Sequence, residues 1–106
     1  DGDTKFGGTV QIGATGNPIT QILTGTATLD FPSTGPNDYS DLTMTVTGAV
    51  DGEVCSVGVK NSEVYTHTVY FCWVSAADTV TVRFSNEHSG AHDPNSAPFK
   101  VTVTGF

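Results

Sequence analysis

Leu42-Thr43-Met44-Thr45-Val46-Thr47 alternates an apolar side chain with a threonine at every step. The pattern returns in Thr79-Val80-Thr81-Val82-Arg83-Phe84 and in Phe99-Lys100-Val101-Thr102-Val103-Thr104. A period of two sends successive side chains to opposite faces of a β-strand. Each of these strands therefore has one apolar face to bury and one hydroxyl-covered face for solvent. Threonine suits such a surface because its β-branch is stiff, but its hydroxyl is a poor general acid or base. The pattern fixes an architecture and offers little chemistry.

Outward from these stretches, residues 19–31 form a long extended segment. Ile22, Thr24, Thr26 and Thr28 share one parity, and Leu23, Gly25, Ala27, Leu29 and Phe31 the other. Pro32-Ser33-Thr34-Gly35-Pro36-Asn37 ends it. Further strands are predicted over residues 40–47, 53–59, 67–75, 79–85 and 99–104. Asp51-Gly52 is a turn signal before the third strand, and Ala76-Ala77-Asp78 is a tight link between the fourth and fifth. Residues 60–66 form a polar connection, and residues 86–97 the longest loop. No window sustains helical periodicity with caps. Strands at intervals of about 8–12 residues predict an all-β domain, a single antiparallel β-sandwich of jelly-roll-like or immunoglobulin-like type. It covers residues 19–106, after a Gly-rich N-terminal arm and linker of residues 1–18. The arm carries Val10 and Ile12, separated from the main run by Gly13-Ala14-Thr15-Gly16-Asn17-Pro18. It packs either on its own sandwich or on a neighbouring subunit.

A chain of 106 residues is long enough to bury a core without a metal or several disulfides. The formal net charge is −7, and Lys5, Lys60, Arg83 and Lys100 are the only basic residues. Phosphate backbones and anionic lipids need a basic surface, so nucleic acid and membrane surfaces are poor partners. No apolar run approaches the roughly 18 residues of a membrane-spanning helix. The chain begins at Asp1 rather than Met, which fits a processed product or a piece of a longer protein. Cys55 and Cys72 are the only cysteines. They read first as two buried thiols acting as small apolar residues, with a disulfide between adjacent meander strands as the alternative.

No catalytic signature is present: no G-x-S-x-G, no H-E-x-x-H and no phosphate-binding loop. No catalytic, cofactor or metal residues are expected, and the chain reads as non-enzymatic. His88, His92 and Asp93 lie in the long loop, but two imidazoles four residues apart converge on an ion only in a helix, which Gly90 and Pro94 oppose. Asp38, Asp41, Asp51, Glu53 and Asp78 sit near strand ends without the spacing of a calcium loop, and read as solvated turn acids. In the fourth strand, Tyr70, Cys72 and Val74 share one face and Val69, Phe71 and Trp73 the other. A strand apolar on both faces is covered on both. Val69, Phe71 and Trp73 are therefore the candidate subunit interface, with a loop or the arm as alternative covers. Loops on a rigid scaffold are where recognition resides. Asn61, Glu63 and Tyr65 in one loop, with His88 and His92 in another, are the candidate binding residues.

Gly25-Thr26-Ala27-Thr28-Leu29-Asp30-Phe31-Pro32-Ser33 is followed by Ser40-Asp41-Leu42-Thr43-Met44-Thr45-Val46-Thr47-Gly48-Ala49. Trp73-Val74-Ser75 then leads into Ala76-Ala77-Asp78-Thr79-Val80-Thr81-Val82-Arg83-Phe84, and Asp93-Pro94-Asn95-Ser96 into Phe99-Lys100-Val101-Thr102-Val103. In this order, and with the lead-in Gly16-Asn17-Pro18-Ile19-Thr20-Gln21-Ile22, the chain resembles the C-terminal β-sandwich module of phage tail-fibre-like and other virion structural proteins. The resemblance covers about residues 13–106 and departs from the family pattern at Cys55, Cys72 and residues 61–66. It implies a virion surface module, a fibre cap or a capsid or tail decoration, that assembles as a homotrimer with other virion proteins. It brings no catalytic residues. Attachment to a host surface glycan is the recognition such a module would serve. The competing expectation is a carbohydrate-binding or adhesin module of a secreted bacterial protein.

Overall fold

The structure, a computed structural model, describes residues 8–106. The first seven residues of the expected arm lie outside the described residues. Six strands follow: β1 (Gln21–Leu29), β2 (Asp38–Thr45), β3 (Val54–Gly58), β4 (Thr68–Ala76), β5 (Thr79–Asn86) and β6 (Ala97–Gly105). One 3-10 turn, Asn61–Glu63, lies between β3 and β4. The strands form two three-stranded sheets in the orders β1-β6-β3 and β2-β5-β4, and every pairing is antiparallel. The two sheets pack face to face as a small β-sandwich.

The period-two pattern is the reason for this packing. Along β6, Ala97, Phe99, Val101 and Val103 are buried while Pro98, Lys100 and Thr102 are exposed. Along β5, Val80, Val82 and Phe84 are completely buried. Phe31, Tyr70, Phe84 and Phe99 form an aromatic cluster with ring centroids 5.0 to 6.0 Å apart. Such tilted and edge-on contacts match the electrostatics of aromatic rings and add to the area they bury. Gly25 lets β1 approach the chain leaving β2, because a Cβ there would lie 2.8 Å from the Val46 side chain. Gly52 turns the chain into β3 with φ at +92°, a left-handed conformation glycine adopts freely.

One finding corrects the expectations from sequence and two others bear on them. Cys55 and Cys72 are joined as a disulfide, with their Cα atoms 5.8 Å apart. They are not neighbours in a meander: Cys55 is on β3 and Cys72 on β4, so the bond ties the edge of one sheet to the edge of the other. The described part of the arm closes on itself, through paired backbone bonds between Val10 and Ile19. Ile12 remains 80% exposed. Finally, the outer face of β4 has no described segment over it: Val69 is 51% exposed and Phe71 43%.

The disulfide closes a loop with a sequence separation of 17, a length for which cross-linking the unfolded chain contributes about 3 kcal/mol. Urea denaturation with and without a thiol reductant is expected to show that loss. The Cys55→Ser/Cys72→Ser variant should lie near the reduced protein.

Candidate functional site

The strand directions divide the connections between two poles. β1 to β2, β3 to β4 and β5 to β6 are joined at one end of the sandwich by residues 30–37, 59–67 and 87–96. Each of these loops crosses from one sheet to the other. At the opposite pole lie the two remaining connections, the Val10–Ile19 closure leading into β1, and Phe106. The loop pole therefore faces away from the N-terminal connection.

Asn86, the last residue of β5, organises the loop pole. Its side chain is fully buried. Nδ2 donates to the carbonyls of Thr34 at 2.9 Å, Gly35 at 3.2 Å and Gly90 at 2.9 Å. Oδ1 accepts the backbone N–H of His88 at 2.9 Å. Thr34 and His92 also exchange backbone hydrogen bonds of 2.8 and 3.0 Å. Two of the three loops are thereby fixed to each other and to the core. The third is held by Thr68, whose hydroxyl donates to the Tyr65 carbonyl at 2.7 Å. Tyr70 reaches the same loop from the core, its hydroxyl 3.5 Å from the Glu63 carbonyl. Burial, with a smaller contribution from the Glu63 charge, pushes the Tyr70 phenol above its usual pKa.

On this support the sequence candidates mostly converge. The Tyr65 and His92 rings stack at 4.0 Å and 4°. His88 stands 5.4 Å from Tyr65, and its Nδ1 accepts the Gly90 N–H at 3.0 Å. Glu63, Tyr65, His92, Pro94 and Asn95 line an open concavity of about 240 Å³. Asn61 begins the 3-10 turn, is exposed and does not line it. Two residues of the pole were not legible in the sequence. His67, read as the start of a strand, sits in a left-handed turn with φ at +58° and its ring 5.9 Å from His88. Asn86, read as the start of the long loop, is the buried anchor.

The acids are dispersed in single roles. Glu53 accepts from Gln21 Nε2 at 2.7 Å and Val50 N–H at 2.8 Å, Asp78 from Gly48 N–H at 2.7 Å, and Asp38 from Tyr39 N–H at 2.8 Å. Among the described residues no three His, Cys, Asp or Glu side chains form a group that could hold a metal ion.

Val69, Phe71 and Trp73 lie together on the outer face of the β2-β5-β4 sheet, where the register sets Asp41, Arg83 and Phe71 in one row. Arg83 binds Asp41 through Nε at 2.8 Å and a terminal nitrogen at 2.9 Å. Its guanidinium carbon is 4.0 Å from the Tyr39 ring centroid and 4.9 Å from that of Trp73. The Arg83 hydrogen bonds hold the Asp41 carboxyl below its usual pKa, and the same bonds raise that of Arg83.

No family model, curated protein or solved structure matches this chain.

Two outcomes are expected here. Asn86→Ala should orphan buried carbonyls, cost about 2 kcal/mol or more, and speed amide hydrogen exchange in residues 30–37 and 87–96. A depressed carboxylate stabilises the fold above the ordinary Asp pKa, and that contribution is lost as pH falls through the folded value. Thermal melts of wild type and Asp41→Asn should therefore differ near neutral pH and converge in strong acid. The difference should be small, since the pair is solvent-screened.

Proposed function

We propose that this chain is a non-enzymatic structural module of a phage virion, a fibre cap or a capsid or tail decoration, that presents its loop pole outward. One observation carries the reading: three of the four connections that cross between the sheets gather at the pole opposite the N-terminal connection, two of them fixed by buried Asn86. A module held by residues 8–20 would then display Glu63, Tyr65, His88 and His92 away from its attachment. Aromatic and imidazole rings already stacked in place lose little freedom when they bind. The resemblance to virion modules and the acidic, hydroxyl-rich surface support the same assignment. Its partners are other virion proteins and further copies of itself, as a homotrimer, and its working place is the virion surface. The ligand class we assign to the loop pole is a host surface glycan.

The disulfide favours a second reading. Structural disulfides persist in oxidising surroundings, as around a secreted bacterial adhesin or carbohydrate-binding module. A released virion meets the same conditions, so the two readings part on what carries the chain.

An antibody against the chain is expected to label intact particles, and purified particles lacking the chain would remove the virion assignment. The purified module is also expected to compete with particles for adsorption to the host. Tyr65→Ala/His92→Ala should weaken that competition about tenfold or more, equivalent to about 1.4 kcal/mol. Undiminished competition would move recognition away from the loop pole.

A further inference from the structure

The two outer faces of the sandwich differ in chemistry. The β1-β6-β3 sheet shows solvent Thr24, Thr26, Thr28, Thr102 and Ser56 with Pro98 and Lys100, and its exposed apolar residues are the aliphatic Ile22 and Val54 at the N-terminal end, with no aromatic ring among them. The β2-β5-β4 sheet shows Tyr39, Val69, Phe71 and Trp73 around Arg83. Tyr39 is 53% exposed, Val69 51% and Phe71 43%. We infer that this second face is the surface on which a second copy of the chain docks, side by side and in parallel. The inference deepens the reading above by naming the surface and partner of assembly.

The first ground is charge. The chain carries a net charge of −7, so copies repel wherever their acids face each other. At the outward-facing positions of this sheet the ionised groups are Asp41 and Arg83, and each neutralises the other; Asp38 at the start of β2 and Glu87, which accepts from the Ser85 hydroxyl at 2.9 Å, border them at the loop pole. A buried charge is costly when its partner is missing. Here the pair is complete within one chain, so covering it orphans neither group. The centre of the face is a neutral patch on an acidic protein.

The second ground is the kind of apolar surface. Tyr, Trp, Phe and Arg are the residues enriched at protein interfaces and at their hot spots. A sugar would need open ring faces to stack on, yet the Arg83 guanidinium already lies over the Tyr39 and Trp73 rings.

The third ground is direction. The face runs along the strands, parallel to the line between the two poles. Copies that turn it toward a common axis keep their N-terminal connections at one end and their loop poles at the other. Three copies satisfy this as readily as two.

The test is the solution mass of the purified chain by light scattering after size exclusion, with circular dichroism and thermal melting to show that each variant is folded. Wild type is expected at a multiple of the 11.1 kDa chain mass. Val69→Glu and Phe71→Glu, at exposed positions that leave the core intact, should be folded monomers. Thr26→Glu, on the opposite sheet, should assemble like wild type. A monomeric wild type overturns the inference, as does an assembly that survives Val69→Glu and Phe71→Glu or is lost equally in Thr26→Glu. Glycan-array binding by a monomer, abolished by Trp73→Ala, would give the face to a sugar instead. Adsorption tests at the loop pole read separately from mass, so either reading can fail alone.

Discussion

The side chain of Asn86 ends β5 inside the protein, and a buried amide must find partners or lose the free energy of its hydration. It finds four: three loop carbonyls and the His88 N–H. The loops 30–37 and 87–96 are therefore tied to each other and to the core, into which Phe31 of the first loop also packs. The Tyr65–His92 stack depends on this arrangement, because His92 is positioned by its backbone pairing with Thr34, whose carbonyl Asn86 also binds. A buried polar group of this kind gives the pole one arrangement rather than several. Among the described residues no buried side-chain nitrogen or oxygen lacks a partner, so the arrangement carries no unmet hydrogen-bonding cost.

The sandwich itself is closed by different means on its two sides. On one side β1 meets β2 closely, with Gly25 against Val46. On the other, Cys55 and Cys72 clamp β3 to β4. Cross-linking is most useful where the strand is least able to hold itself, and β3 has only five residues. Its neighbour β4 carries a register shift between Val74 and Ala76. A strand that short gains little from its ladder alone, and the covalent bond supplies what its packing does not.

The strands were legible in the sequence because parity is local. Val80, Val82 and Phe84 declare their face without reference to anything else, and the observed β1 to β6 fall within two residues of the expected spans. The candidate loops were legible as loops, and Glu63, Tyr65, His88 and His92 meet because the topology places both connections at one pole. The cross-links were not legible. Two cysteines 17 positions apart are compatible with adjacent strands or opposed sheets, and only the order β1-β6-β3 against β2-β5-β4 decides. Asn86 reads as a loop residue by composition, since its partners are 2 to 52 positions away. The Arg83 cluster is hidden for the same reason: Tyr39, Asp41 and Trp73 come from two other strands, and pairwise register brings them together.

Exposed strand edges are the usual hazard of an open sheet, because unpaired backbone groups invite another strand. This sandwich blunts two of its four edges, those of β3 and β4. β3 is short and tied to β4, β4 is bulged near its end, and bulges disrupt further pairing. The loop pole is occupied by polar side chains and fixed turns. The β1-β6-β3 face carries hydroxyls that water satisfies well, with Lys100 among them and Ile22 and Val54 exposed at its N-terminal end. The aromatic face of the other sheet is a surface of side chains, and its central ion pair, Asp41 with Arg83, is complete within one chain. Contact through a face of side chains can be specific in a way that edge pairing cannot, because edge pairing uses backbone groups common to all sequences. The division between a hydroxyl face, an aromatic face and a loop pole thus follows from which residues the two-residue period points outward on each sheet.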